Sequence, residues 1–249
     1  MKINIDEQEI EGKEGQTILE VAQTIGIDIP TLCHHKGLEP YGACRLCIVE
    51  VNVGNGWEID TSCTRPIEDN MRIHTSSERV KKFRKLNAEL LLARCSDAEK
   101  VREAAKKVGV EETRFPKKNL DCILCGLCTR ACQDRIGQSA ISFVNRGWER
   151  KVDTPFSINS ELCIGCGACA NVCPTEAIKI VDEGDTRYID YFNTKLKLQK
   201  CERCGKYFAP ERLLKRLSSE DVPNMPKNLF YLCESCRRKE QMRKLLLAK

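Results

Sequence analysis

The sequence predicts an α+β protein of four consecutive parts, each tied to clustered cysteines or joining two such clusters. Three observations predict it. Sixteen of the seventeen cysteines fall into four ordered sets. The apolar pattern alternates near the N-terminus and then turns helical over residues 78–94. Residues 119–183 repeat themselves once.

Residues 2–5 and 8–11 alternate as two short strands with a turn at Asp6-Glu7. Thr17 and Glu20 have the spacing of a capping box, and Ile18, Leu19, Val21, Ala22 and Ile25 give the following helix a buried side. Gly26 and Pro30 end it, and residues 46–53 and 57–61 read as further strands. Strands, helix, cysteine loop and strands together describe a small β-grasp sheet over residues 1–77. From Glu78 to Arg94, Val80, Phe83, Leu86, Leu90 and Leu91 recur at three and four residues, which predicts a helix with that apolar side. Lys81, Lys82, Arg84 and Lys85 between them read as its solvated face. A second helix over 97–108 stops at Gly109, and these helices form a connector over residues 78–118.

In the repeat, Cys122-Ile123-Leu124-Cys125-Gly126-Leu127-Cys128 is answered by Cys163-Ile164-Gly165-Cys166-Gly167-Ala168-Cys169. Each run continues with three residues and a fourth cysteine, Cys132 or Cys173, and then a short apolar stretch, 140–144 or 177–181. Residues 184–249 hold a strand-bearing linker to 199, a last cysteine set, and a basic amphipathic helix from Arg237 that ends in Leu245, Leu246 and Leu247. Its apolar side reads as packing on its own chain.

Spacing decides what the cysteines do. C-x2-C runs make poor disulfides and good metal sites, and the chain opens on a strand and not on a signal peptide. No apolar run is long enough to cross a bilayer. The expected compartment is therefore the reducing cytoplasm. Cys33, Cys44, Cys47 and Cys63 follow C-x10-C-x2-C-x15-C, in which a near pair grips one iron and the distant cysteines the other iron of a [2Fe–2S] rhomb. Gly42 and Ala43 are small where backbone N–H groups approach sulfur. The two repeated runs are C-x2-C-x2-C-x3-C, the bacterial ferredoxin run, in which the fourth cysteine ligates the other cluster. Cys122, Cys125, Cys128 and Cys173 are thus expected on one [4Fe–4S] cluster, and Cys163, Cys166, Cys169 and Cys132 on a second. Pro174 follows Cys173 as in that motif, whereas Gln133 follows Cys132. Cys201, Cys204, Cys233 and Cys236 form a zinc ribbon, with rubredoxin-like iron as the competing occupant.

The formal net charge of +5 invites a nucleic-acid partner. Each four-cysteine site carries about −2 when loaded, so four sites leave the holoprotein near −3. The surplus of Lys and Arg then compensates buried negative cofactors, and no nucleic-acid partner is expected.

Pro30-Thr31-Leu32-Cys33, Gly42-Ala43-Cys44-Arg45-Leu46-Cys47 and Thr61-Ser62-Cys63-Thr64 resemble the N-terminal domain of several large redox enzymes. These are the large iron–sulfur subunit of NADH-quinone oxidoreductase, the [FeFe]-hydrogenases, NAD-linked formate dehydrogenases and the diaphorase iron–sulfur subunit of NAD-linked [NiFe]-hydrogenases. The resemblance extends over roughly residues 1–183. Those families usually place a cluster bound by one histidine and three cysteines after a helix like 78–94. Here the segment is Arg94-Cys95-Ser96-Asp97-Ala98-Glu99-Lys100, so that cluster is expected to be absent and Cys95 to be a structural thiol.

The resemblance implies an electron-transfer subunit of a multi-subunit oxidoreductase. Its partners would be an NAD(H)-binding flavoprotein and a hydrogenase, formate dehydrogenase or other metal oxidoreductase subunit. A free-standing polyferredoxin carrier is the alternative. No G-x-G-x-x-G fingerprint or P-loop is present, so a nucleotide or substrate-converting site is not expected on this chain. His34 and His35 adjoin a ligand and read as ordinary loop histidines, and His74 has no visible partner in the sequence.

Overall fold

The computed structural model describes residues 1–54, 56–219 and 230–247, with side chains through Arg243. The chain divides into two compact units, Met1–Ala131 with Val172–Ala177, and Cys132–Asn171 with Ile178–Lys249. This division runs through the sequence repeat. Each unit takes three cysteines from one half of the repeat and the fourth from the other half.

In the first unit, β1 (Lys2–Ile5), β2 (Gln8–Glu11), β3 (Ile48–Asn52), β4 (Trp57–Thr61) and β5 (Arg72–His74) form one sheet in the order β2-β1-β5-β3-β4. β1 and β5 are parallel, and the other neighbours are antiparallel. Helix α1 (Ile18–Thr24) starts at the expected capping box: the Glu20 N–H donates to Thr17 Oγ1 at 3.3 Å, and the Thr17 N–H donates to Glu20 Oε2 at 2.7 Å. A cap contributes about 1 kcal/mol, and a helix of this length does not hold itself in water. Burial holds it. Ile18, Leu19, Val21 and Ala22 share a core with Ile3, Ile5, Val49, Val51 and Ile73, and each fully buried aliphatic side chain contributes about 1.5–3 kcal/mol. Cys47 and Cys63 lie inside that same core, so the sheet itself fixes half of the first cysteine set.

Helices α2 (Glu78–Arg94) and α3 (Glu99–Lys107) form where expected, and Ser77 Oγ caps α2 by accepting from the Val80 N–H at 3.2 Å. The buried side of α2 agrees with the expected one at Val80 and differs beyond it. It consists of Val80, Arg84, Ala88, Leu92 and Ala93, while Phe83 and Leu90 are 41% and 49% exposed. The reading of Arg84 as part of a solvated face is corrected: its Nη2 donates to the Ile48 carbonyl at 2.7 Å. Small Ala88 lets α2 approach the core it shares with Val101, Ala104 and Ala105 of α3, which selects this stripe over the one with bulkier side chains. Helix α4 (Leu127–Arg130) closes the unit.

In the second unit, β6 (Ser142–Val144) and β7 (Lys151–Asp153) form a hairpin, and α5 (Ala168–Asn171) contains the third cysteine of the second run, Cys169. Strands β8 (Val181–Glu183), β9 (Thr186–Ile189), β10 (Thr194–Lys200) and β11 (Tyr207–Pro210) make an antiparallel sheet in the order β11-β10-β9-β8. β10 buries Thr194, Leu196 and Leu198 and exposes Lys195 and Lys197, a clean alternation. Helix α6 (Glu211–Ser219) follows, and α7 (Glu234–Leu247) starts before the expected Arg237, so that Cys236 lies in its first turn. The side chains of Leu245, Leu246 and Leu247 lie outside the described residues. Among the described residues no helix is long and apolar enough to cross a membrane.

Candidate metal centres

Cys33 and Cys44 stand on the loop between α1 and β3, Cys47 directly before β3, and Cys63 just after β4. All four are buried, at 1%, 6%, 0% and 1% exposure. They pair. The Cys44 N–H donates to Cys33 Sγ at 3.4 Å, and Cys47 Sγ and Cys63 Sγ share a hydrogen bond of 3.2 Å. The Cys44 side chain, helped by the N–H groups of Cys44 and Ala43, holds Cys33 down to about 6 against its burial. Cys63 likewise holds Cys47 down to about 7, while Cys44 and Cys63 are both pushed up by the thiolates they bond and by burial. Each pair brings two buried cysteine sulfurs together, a place where a cation fits. Gly42, at φ +68°, brings its turn to within 3.2 Å of Thr64 Cγ2 for an added Cβ, so a small residue is needed there.

The second set lies wholly in the first unit. Cys125 and Cys128 are buried in it, Cys122 is half-buried, and Cys173 returns on the Val172–Ala177 segment. Burial pushes Cys125 up to about 12, the Leu127 N–H opposes, and Cys122 and Cys173 raise it further as neighbouring charges. The Leu124 N–H donates to Cys122 Sγ at 3.3 Å. One core contains Cys33 and Cys44 of the first set together with Cys125 of the second, packed among Leu32, Leu46 and Leu127.

The third set lies wholly in the second unit. Cys132, Cys163, Cys166 and Cys169 line a single cavity. Burial pushes Cys169 up to about 12, and Cys166, Cys163 and Cys132 add to it as neighbouring charges. The Ala140 N–H donates to Cys132 Sγ at 3.3 Å. Two arginines brace the cysteine loop by its carbonyls. Arg187 Nη1 donates to Gly165 O at 2.7 Å, and Arg212 Nη1 donates to Ser160 O at 3.0 Å, Glu161 O at 3.2 Å and Cys163 O at 3.3 Å.

In the fourth set the sulfurs of Cys201, Cys204, Cys233 and Cys236 all lie within 4.8 Å of one another. A tetrahedral ion with metal–sulfur bonds of about 2.3 Å needs sulfurs about 3.8 Å apart, and Cys204 Sγ and Cys233 Sγ are 3.6 Å apart. Gly205, at φ +76°, turns the first knuckle and donates its N–H to Cys201 O at 2.9 Å. The Ser235 hydroxyl holds Cys233 down to about 6, and burial with the Cys233 bond pushes Cys236 up to about 12.

Cys95 is 1% exposed and joins the core that holds Cys125. Burial pushes its thiol up to about 12, and Cys122 raises it further as a neighbouring charge. Replacing Cys95 with alanine is expected to leave the iron content unchanged and to cost about 1 kcal/mol of stability, the scale of one buried methylene. Iron analysis and a urea midpoint check this; a loss of about four irons would make Cys95 a ligand. His34 Nδ1 is buried without a partner, His35 Nδ1 accepts from the Gly37 N–H at 3.1 Å, and His74 stacks on Trp57 with ring centroids 4.1 Å apart. The sequence reading missed the arginines. Arg84, Arg130, Arg187 and Arg212 reach carbonyls of, or next to, the cysteine loops through long side chains, and no local pattern announces such reach.

Comparison with known proteins finds two domain families in this chain. The family described as 2Fe-2S iron-sulfur cluster binding domain matches residues 1–78. The 4Fe-4S dicluster domain matches residues 121–177 and 162–206. A subunit of the NADH-quinone oxidoreductase of Rhizobium meliloti is 30% identical over 72% of this chain and 24% of its own length. The NADP-reducing hydrogenase subunit HndD of Solidesulfovibrio fructosivorans is 32% identical over 72% of this chain and 36% of its own length. The crystal structure of an NAD+-reducing [NiFe]-hydrogenase in the H2-reduced state superposes with a TM-score of 0.52 at 29% identity, covering 61% of this chain and 74% of that one. The chain spans about a quarter to a third of the length of these two curated relatives. It joins a 2Fe-2S iron–sulfur cluster binding domain to a 4Fe-4S dicluster domain, and its homologues are subunits of NADH-quinone oxidoreductases and hydrogenases.

Proposed function

We propose that this chain relays electrons inside a cytoplasmic, multi-subunit oxidoreductase, between an NAD(H)-binding flavoprotein subunit and a hydrogenase, formate dehydrogenase or similar subunit. Cys33, Cys44, Cys47 and Cys63 would hold one [2Fe–2S] cluster. Cys122, Cys125, Cys128 and Cys173 would hold one [4Fe–4S] cluster, and Cys132, Cys163, Cys166 and Cys169 a second. Cys201, Cys204, Cys233 and Cys236 would hold a structural zinc ion, since zinc does not change oxidation state. When bound, the clusters supply one-electron carriers whose potentials follow charge, hydrogen bonds to sulfur and burial.

The observation that carries this reading is the shared core of the first unit, which packs Cys33, Cys44 and Cys125 among Leu32, Leu46 and Leu127. A dry, close-packed interior fixes the separation of two redox sites and excludes water from both. The N–H groups of Ala43, Cys44, Leu124 and Ala140 are directed at cysteine sulfurs, as ligand thiolates need.

Anaerobically purified protein is expected to contain about ten Fe, ten sulfides and one Zn per chain, the sum over one [2Fe–2S], two [4Fe–4S] and one four-thiolate zinc site. About eleven irons without zinc would replace the zinc by iron. About four extra irons would indicate a further cubane. Isolation from native cells is expected to bring flavin-bearing and metal-bearing subunits with it, and a lone protein would make it a free polyferredoxin instead.

A further inference from the structure

We propose that Arg130 is a positioning residue that ties the loop of the first cysteine set to the turn of the second and gives the first set a fixed positive charge. The inference rests on the relay reading for its consequence, and on the first unit alone for its geometry. Arg130 is the last residue of α4, two residues from both Cys128 and Cys132, and is half-buried. Each guanidinium nitrogen serves a different carbonyl. Nη2 donates to Cys33 O at 3.0 Å, Nη1 donates to Glu39 O, and Nε donates to Gly126 O at 3.2 Å. The Tyr41 ring lies under the guanidinium, 5.3 Å from Cζ to the ring centroid.

The partners span two ligand loops. Cys33 is itself in the first set, and Glu39 and Tyr41 stand on the stretch between Cys33 and Cys44. Gly126 lies between Cys125 and Cys128 at φ +71°, and its carbonyl also accepts from Thr129 Oγ1 at 2.9 Å and the Arg130 N–H at 3.1 Å, so that end of the tie is firm. A planar fork with donors in fixed directions makes three such bonds at once, whereas a lysine ammonium is a flexible point charge. Residues 33–41 have no regular secondary structure, and Arg130 gives this stretch two of its anchors, at Cys33 and Glu39. The same cation thus stands beside the backbone of a residue of the first set. A permanent positive charge beside a cysteine ligand favours the reduced, more negative state of whatever that ligand holds.

Two roles, charge and span, separate in two variants. Full-length, metal-loaded Arg130→Met loses both, and Arg130→Lys keeps the charge and loses the fork. Reduction of the [2Fe–2S] signal is followed by EPR in a redox titration, and amide exchange of residues 33–41 by mass spectrometry on the same samples. Both variants are expected to exchange about tenfold faster over residues 33–41, the scale of one charge-assisted hydrogen bond. The midpoint potential is expected to fall in Arg130→Met and to stay close to the wild-type value in Arg130→Lys. Unchanged exchange in both variants would overturn the tie, and an unchanged potential in Arg130→Met would overturn the charge role. Wild-type protein without any [2Fe–2S] signal would overturn the relay reading, and the exchange measurement would then still decide the tie.

Discussion

Removing the metal ion proposed at Cys201, Cys204, Cys233 and Cys236 is expected to unfold the segment around them and to leave the first unit intact. The buried cluster at this end consists of Cys201, Cys233 and Cys236, with Phe208 and Leu232 packed against it. So small an apolar group cannot offset the chain entropy of ordering two knuckles and the start of α7, at about 1–2 kcal/mol per residue for backbone alone. Structural zinc supplies about 10–16 kcal/mol in comparable sites, as much as the net stability of a whole domain. Without it, four sulfurs within 4.8 Å of one another are a cluster of competing thiolates. Cys201 also anchors β11, since its N–H donates to Lys206 O at 2.8 Å and β11 pairs with β10. Treatment with a zinc-selective chelator, or Cys233→Ala, is therefore expected to abolish amide protection over Cys201–Pro210 and the first turns of α7. The [2Fe–2S] EPR signal should persist. Retained protection in zinc-free protein would sink the structural role.

Gly165→Ala is expected to cost about 2–6 kcal/mol and most of the iron proposed at Cys132, Cys163, Cys166 and Cys169. The backbone there has φ +69°, and a Cβ would stand 2.5 Å from Leu196 Cδ1 and 2.8 Å from Pro210 Cγ. Leucine can move its far end, but the proline ring is fixed at the end of β11, so the cysteine loop must lift from the sheet. Overpacking and left-handed strain each cost about 1–3 kcal/mol, and lifting the loop pulls the Gly165 carbonyl from Arg187. Gly167→Ala is the internal control. Its φ is +82°, but the nearest atom to an added Cβ is Ile180 Cδ1 at 3.5 Å, so only the backbone strain applies. Thermal unfolding with iron analysis should rank Gly165→Ala well below Gly167→Ala, and equal losses would mean that the loop does not press on β10 and β11.

What could be read in the sequence was local. Thr17 and Glu20 announced α1 because a capping box is complete within four residues, and β1 and β2 alternate on their own. β5 was not legible: it has three residues, one of them fully buried, and its pairings join Asn4 to Arg72 and Glu50 to His74 across long separations. The helix of residues 78–94 was evident, but its inward side was not, since two apolar stripes compete and small Ala88 and Ala93 decide the contact. The cysteine groupings came from spacing alone. The arginines that hold the cysteine loops in place did not, because their partners are backbone carbonyls, which every residue has.

The crossing of Cys132 and Cys173 has a consequence for how the chain is made. The set proposed around Cys122, Cys125 and Cys128 lacks its fourth thiolate until Cys173 leaves the ribosome, and Cys132 waits unpartnered until Cys163 and its neighbours appear. At roughly 5–20 residues per second the wait lasts seconds, long enough for an exposed thiol to meet oxygen or the wrong metal. Neither of the proposed cubanes could be loaded domain by domain as the chain emerges. On the proposed assignment the cell must deliver iron and sulfide for the first of these clusters after translation has passed Cys173, and a chain truncated between the two runs holds neither four-cysteine set of the repeat complete.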